Sequence, residues 1–322
     1  MAKITQVGLK MTKHINIALI NYPEALQSAV HGLSELFTMA NKIANQQQLN
    51  SSFVIHLIQP NRLISQFDVI TKQPFDLVIL PPNSNEDYFQ QPPEELLSLL
   101  RTTHQSGAIL CSACASAFTL AHTGLLDNRT ATTHWQLAEK FSATFPQVKL
   151  NIESLLINDG DIICAGGLMS WLDLGLEIVA QCMKPSIMRS LGKLLIVDTG
   201  KREQRYYGSF TPLFNHGNEA IINVQHYIQA NFQQPMNISQ LAQLAFMSER
   251  TFLRHFTRAT SLKPMQYIQR VRVQKACELL ETSQQSFEQI SASVGYDDVN
   301  SFRKVFIKVI GLSPSAFKAR FV

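Results

Sequence analysis

At 322 residues the chain is long enough for two domains, and its apolar fraction of 45% is that of an ordinary globular protein. No run approaches the roughly 18 uninterrupted apolar residues of a membrane helix, and five cysteines, an odd number in a long chain, argue against a disulfide scaffold. The net charge of +4 is unevenly placed: from Leu213 onward 12 Lys/Arg stand against 7 Asp/Glu, whereas the residues before it carry 16 against 17.

Met1–His14 carries lysines but lacks the apolar stretch of a signal peptide, so a cytoplasmic protein is expected. His14–Ile20 reads as a short apolar strand closed by Asn21-Tyr22-Pro23, and Ala25–Asn45 has helical length and period. Further strands are predicted at Phe53–Ile58, Leu77–Leu80 and Ala108–Cys111, with a helix over Pro92–His104 that has a proline start and an acidic first turn. Leu155–Ile157 and Asp161–Cys164, joined through Asn158-Asp159-Gly160, read as a hairpin. A helix from about Ser170 to Met183 then closes the domain. Short apolar strands alternating with helices predict an α/β sandwich with a mostly parallel sheet.

Asp198–Gly217 breaks the pattern, with the polar run Thr199–Arg205 followed by Pro212 and Gly217, and is expected to be a linker. Beyond it the chain reads as wholly helical: Asn218–Asn231, a helix pair, a long helix over Pro264–Glu281, and a second pair. The two pairs repeat one another. Phe252-Leu253-Arg254-His255-Phe256, Leu262, Pro264 and Tyr267 recur fifty positions later as Phe302-Arg303-Lys304-Val305-Phe306, Leu312, Pro314 and Phe317. A short apolar helix precedes each, Ile238–Phe246 and Phe287–Val294.

Two helix-turn-helix units at fixed spacing, each basic on its second helix, predict a grip on two successive major grooves of duplex DNA. Ser248 is expected to cap the first of these helices, and Asp297 with Asp298 the second. The Phe pairs 252/256 and 302/306 face the core. Arg250, Leu253 and Arg254 then fall on the outer face of one helix, and Asn300, Arg303 and Lys304 on that of the other. Arginine can bond bidentately to guanine and asparagine to adenine. Arg258 and Lys308 lie a turn further along, in reach of phosphate. Any single arginine here is equally well explained as a solvated surface; the matching positions on two helices favour DNA.

Ser248–Phe256 and the string Val294-Gly295-Tyr296, Phe302, Phe306, Gly311-Leu312-Ser313-Pro314 resemble the AraC/XylS-type transcription regulators over about Asn218–Phe321. The resemblance implies two subdomains joined by the long helix and reading adjacent groove segments on one DNA face. Ser291 departs from it, since alanine is usual there.

In the first half, Gly107–Phe118 is an apolar strand running into a helix through small residues. That is the geometry of a nucleophile elbow, presenting Cys114 at a helix N-terminus whose dipole would favour thiolate. Thr132-Thr133-His134-Trp135 offers a base. With Tyr22-Pro23, Leu77–Pro81, Leu120-Ala121 and Gly124-Leu125-Leu126, these strings resemble the DJ-1/PfpI-like, glutamine-amidotransferase-type domain over about His14–Lys184. Joined to AraC-type units, it resembles regulators of the GlxA type, in which this domain is thought to sense a small molecule and to dimerise. Three departures weigh against hydrolysis. Pro82 and Asn83 stand where hydrolytic relatives have Gly-Gly, and proline has no N–H for an oxyanion. Gln27 stands where those relatives have an acid, and Ala115 and Ala117 make the elbow poorer in glycine.

Cys114 keeps three readings: a polar corner of a ligand pocket with Ala115, His134 and Trp135, a redox-sensing thiol, or an inert core cysteine. Cys111 and Cys114 form a C-x-x-C string, but Cys111 should end a buried strand, and no second Cys/His pair follows at zinc-ligand spacing. Gly166-Gly167, opening a helix after a strand, fits a tight turn as well as anion binding, and the resemblance implies that it closes one side of the pocket.

The expected architecture is an α/β sandwich of the DJ-1/PfpI, class I glutamine-amidotransferase-like kind, followed by an all-α double helix-turn-helix domain. Its bounds are 14–197 for a ligand-sensing, dimerising domain, 198–217 for the linker and 218–322 for the DNA-binding domain. The expected function is sequence-specific regulation of transcription by a cytoplasmic homodimer that binds double-stranded DNA and a small-molecule effector, without cofactor or metal. The alternatives are a cysteine-dependent hydrolase or amidase, and a thiol redox-sensing regulator.

Overall fold

The computed structural model describes residues 13–59, 74–200, 203–208, 210, 212–214 and 216–322. Of the segments interpreted above, 1–12 and, in the expected linker, residues 201, 202, 209, 211 and 215 lie outside the described residues. The chain divides into two compact units, with the division between Gln204 and Arg205.

The first unit is built on β1 (Lys13–Ile20), β2 (Ser51–Ile58), β3 (Leu77–Leu80) and β4 (Ile109–Ala113), with the hairpin β7 (Leu156–Asn158) and β8 (Ile162–Ala165) at its other side. Strand order is β2-β1-β3-β4-β8-β7, parallel throughout except for the antiparallel β7–β8 pair. β3 and β8 are buried at every residue, as expected for parallel strands covered on both faces. β4 runs two residues past Cys111, because Ser112 and Ala113 continue the ladder to Cys164 and Ala165. Between β4 and the hairpin lie β5 (Thr130–Ala131) and β6 (Lys149–Leu150), a separate parallel pair.

α1 (Gln27–Gln46) buries Ala29, Val30, Leu33, Leu36, Phe37, Ala40, Ile43 and Ala44, the stripe of a helix laid on a sheet. α2 (Glu86–Gln90) is a five-residue helix in the loop after β3, capped by Asn85, which accepts from the Tyr88 N–H at 3.0 Å. α3 (Glu94–Gln105), α4 (Ser116–Ala121), α5 (Ala138–Thr144) and α6 (Trp171–Cys182) follow. α6 is not the last helix of this unit. α7 (Pro185–Leu195) comes directly after it and packs against α1 and α6. Met183-Lys184-Pro185 resembles a helix stop, but Pro185 is at the start of a new helix, where its missing N–H costs nothing.

The second unit is helical: α8 (Glu219–Asn231), α9 (Ile238–Leu244), α10 (Glu249–Thr260), α11 (Pro264–Thr282), α12 (Phe287–Ser293), α13 (Val299–Ile310) and α14 (Pro314–Phe321). It has two cores. Tyr267, Ile268 and Val271 of α11 join Leu241, Phe252 and Phe256 in one, while Val273, Ala276, Cys277 and Leu280 join Ile290, Phe302, Phe306 and Phe317 in the other. The long helix thus supplies one half of itself to each.

The repeat extends to the capping residues. Asn237/Gln240 and Ser286/Gln289 form capping boxes on α9 and α12. Ser248 caps α10 and Asp298 caps α13; Asp298 accepts from the N–H groups of Asn300 and Ser301, and Asp297 has no part in the cap. α9 ends two residues before Phe246. That residue takes φ +54° in the turn and is 97% exposed, so it does not belong to the apolar helix.

Candidate functional site

α10 and α13 present matching faces. Phe252 and Phe256 on one, and Phe302 and Phe306 on the other, are 0% exposed. This follows from their four-residue spacing on one side of an amphipathic helix. On the opposite side Arg250, Leu253, Arg254 and Arg258 of α10 are exposed, as are Asn300, Lys304 and Lys308 of α13. Arg250 is the second residue of α10 and Asn300 the second of α13, so both stand at a helix start. Arg303 is different. It is only half-exposed, with its guanidinium 5.6 Å from the centroid of Phe287 and 3.9 Å from a Glu288 carboxylate oxygen on α12. Cation–π attraction and the carboxylate draw it back onto its own unit.

In the first unit, Cys114 is at the turn between β4 and α4 with φ +59°, a left-handed conformation that is costly for a side chain with a Cβ. Three contacts hold the turn. The Cys114 N–H donates to the Ala165 carbonyl (2.8 Å), its carbonyl accepts from the Thr133 hydroxyl (2.9 Å), and Ala115 is buried behind it at the N-terminus of α4. Tyr22, fully enclosed, shares the same corner: its hydroxyl and that of Ser116 lie 2.5 Å apart, and both donate to the Pro81 carbonyl. Tyr22 and Tyr88 rings pack at 5.3 Å. Burial raises the pKa of both phenols, that of Tyr88 to about 12.

Burial also decides the state of the cysteine. The Cys114 thiol is pushed up to about 11, against a weaker lowering by the Ala115 N–H. The helix that follows is only six residues long, and desolvation outweighs its dipole, so the thiol and not the thiolate is present at neutral pH. Alkylation of Cys114 by iodoacetamide is therefore expected to be slow at pH 7 and to accelerate as pH rises through about 11. Mass spectrometry of peptides quenched across that range checks it, and fast labelling at pH 7 would contradict it. Cys111 is buried within β4 and raised well above its ordinary value by the same cause, and all five cysteines are free.

His134 bonds within its own turn. Its Nδ1 accepts from the Gln136 N–H at 3.2 Å, capping the short 3-10 turn Trp135–Leu137, and its ring stacks on Trp135 at 5.7 Å. Burial lowers its basicity. Gln27, at the place of an acid in hydrolytic relatives, donates to Asn21 Oδ1 (3.0 Å) and to the Ala25 carbonyl (2.9 Å). Asn83 is 3% exposed; its Oδ1 accepts from the Asn85 N–H at 2.6 Å. Its Nδ2, like the Tyr88 hydroxyl, is buried without a hydrogen-bond partner.

Gly166 and Gly167 separate. Gly167 forms the strand-to-helix turn, accepting from the Ser170 N–H at 3.1 Å. Gly166 instead faces Gln204, whose Nε2 lies 2.5 Å from where a Cβ on residue 166 would be. Gln204 is 2% exposed. Its Oε1 accepts from the Trp135 N–H (3.1 Å), and its Nε2 donates to the carbonyls of Thr133 and Ile152 (3.0 Å each). Thr133, Trp135 and Gly166 thus meet around a side chain that the sequence hides in a polar run, where a buried glutamine has no signature.

Two family models match the chain: the DJ-1/PfpI family over residues 48–181 and a helix-turn-helix domain over residues 241–320. The HTH-type transcriptional regulator CdhR of Pseudomonas aeruginosa is 25% identical over 70% of this chain and 67% of its own length. The HTH-type transcriptional regulator GlxA of Rhizobium meliloti is 25% identical over 69% of this chain and 68% of its own. Among solved structures, DJ-1beta of Drosophila melanogaster aligns with 58% of this chain and all of its own at 16% identity and a TM-score of 0.47.

Proposed function

With a DJ-1/PfpI domain and an AraC-type helix-turn-helix domain in one chain, this protein belongs to the helix-turn-helix transcription regulators, and we propose that it reads a bipartite operator under the control of a small molecule. In this reading Arg250, Leu253 and Arg254 of α10, and Asn300, Arg303 and Lys304 of α13, meet base edges, while Arg258 and Lys308 meet phosphate. The observation that carries it is the pairing of α10 with α13. Each is capped by a side-chain oxygen, each buries a phenylalanine pair at the same spacing, and each leaves cationic side chains outward at matching positions. Solubility would not require that correspondence.

The first unit, about 14–197, acts here as sensor and dimerisation domain of a cytoplasmic homodimer, with 198–217 joining it to the DNA-binding domain at 218–322. The effector site is the elbow corner around Cys114, Ala115, His134, Trp135, Gly166 and Gly167. Two buried donors without partners, Asn83 Nδ2 and the Tyr88 hydroxyl, favour an effector that offers acceptor oxygens. No turnover is assigned to this site. Pro82 cannot donate to an oxyanion, Gln27 cannot ionise, and the thiol is neutral with His134 engaged elsewhere. No helix among the described residues is long and apolar enough to cross a membrane.

Capture of genomic DNA fragments by the full-length protein, followed by binding of the best fragment at two salt concentrations, tests the proposal. A recurring motif with half-sites about one helical turn apart is expected. Binding that depends on salt alone, with no motif, would refute sequence-specific reading.

A further inference from the structure

We infer that Gln204 is a displaceable resident of the effector site, seated in a slot whose chemistry selects a primary carboxamide, and that a ligand taking the slot frees the chain where it leaves the first unit. The inference rests on the reading of that unit as a sensor. The slot offers one donor, the Trp135 N–H, and two acceptors, the carbonyls of Thr133 and Ile152. A carboxamide satisfies all three with one oxygen and one NH2 group. A carboxylate of the same shape would set a negative oxygen against two carbonyl oxygens.

The walls are main chain, so the slot persists when its occupant leaves. Room for the amide exists because residue 166 has no side chain; an alanine Cβ there would lie 2.5 Å from Nε2 and 2.9 Å from Cδ. The slot adjoins the elbow directly. Thr133, whose carbonyl receives Gln204, also donates its hydroxyl to the Cys114 carbonyl, and the Cys114 N–H donates to Ala165, the neighbour of Gly166. A ligand that enters the slot from this corner and the seated Gln204 therefore exclude one another, and both are tied to the elbow through Thr133.

What Gln204 anchors is small. It opens a three-residue 3-10 turn, Gln204–Tyr206, and its own N–H donates to the Glu153 carbonyl at 2.9 Å, beside a single bridge between Ser154 and Glu203. The next residue, Arg205, begins the second unit. Losing the side-chain anchor thus loosens the chain at the junction and not inside a core.

Amide hydrogen exchange on the full-length protein tests this at Trp135 and Gln204. Gln204→Ala should speed exchange at both by about tenfold, the effect of losing hydrogen bonds of ordinary strength. The isosteric Gln204→Glu, which keeps the volume, should do the same at neutral pH. Acetamide at tens of millimolar should restore protection at Trp135 in Gln204→Ala, and acetate should not. Unchanged exchange in both variants would overturn the latch. Equal protection by acetate would overturn the carboxamide selection. Operator binding by the unaltered protein, measured alongside, separates these outcomes from a failure of the regulator reading.

Discussion

Gly295→Ala is expected to destabilise the second helix-turn-helix by about 3 kcal/mol or more and to abolish operator binding with it. Gly295 adopts φ +87° just past the end of α12, and an added Cβ would lie 2.4 Å from the Gln233 carbonyl oxygen, a backbone atom that cannot rotate aside. The surroundings make relief difficult. Arg272 of α11 donates to the carbonyls of Phe232 (2.7 Å), Gln234 (2.8 Å) and Gly295 (3.0 Å), with its guanidinium 5.1 Å from the Tyr296 ring centroid. Moving residue 233 would disturb bonds on both of its neighbours. The corresponding turn of the first helix-turn-helix carries Phe246 in the same left-handed region with its ring in solvent. Phe246→Gly should accordingly stabilise by about 1 kcal/mol, since no core contact is lost and a strained φ is relieved. Denaturant unfolding of the two variants gives opposite signs on this account. A midpoint for Gly295→Ala equal to that of the unaltered protein would show that the turn yields freely.

Much of this architecture is written in local chemistry. The apolar strands β1 and β3, the Phe pairs of α10 and α13 and the serine and aspartate caps are visible as spacing, because burial on one face imposes a period and helix ends demand acceptors. The second helix-turn-helix carries glycines at the left-handed positions 295 and 311, and the first carries Phe246 and Ser261 at the corresponding places. The helix pairs are legible in both copies, but the turn residue of the first copy is indistinguishable from a core phenylalanine. α7 was concealed by a proline that starts a helix as readily as it ends one. The candidate effector site was legible only in part. Cys114 stands out through its small neighbours, yet its thiol character depends on burial by Tyr22 and β8, which come from distant segments. Gln204 is the extreme case. Nothing in Glu203-Gln204-Arg205 distinguishes a side chain with three good hydrogen bonds from one in water, because the partners are backbone groups of residues 133, 135 and 152.

The largest effects on recognition are expected at Arg254 and Lys304. Both are exposed on the outer face of their helices, two residues after a buried phenylalanine; Lys304 feels the Asp298 carboxylate at the cap of α13, whereas Arg303 is held against Phe287 and Glu288. If each reads a base, Arg254→Ala and Lys304→Ala should each cost about 1–3 kcal/mol in operator affinity and relax the preference at one position of its own half-site. The two losses should add, since the residues lie on separate helices with separate cores. Arg258→Ala supplies the contrast. A phosphate contact gives up affinity for every sequence alike and lowers the dependence of log affinity on log salt by about one. Titration of the captured operator and of single-base variants, at two salt concentrations, distinguishes these patterns. Should Arg254→Ala leave both affinity and base preference intact, α10 is not the first recognition helix, and the matching faces of α10 and α13 would have to serve something other than a pair of major grooves.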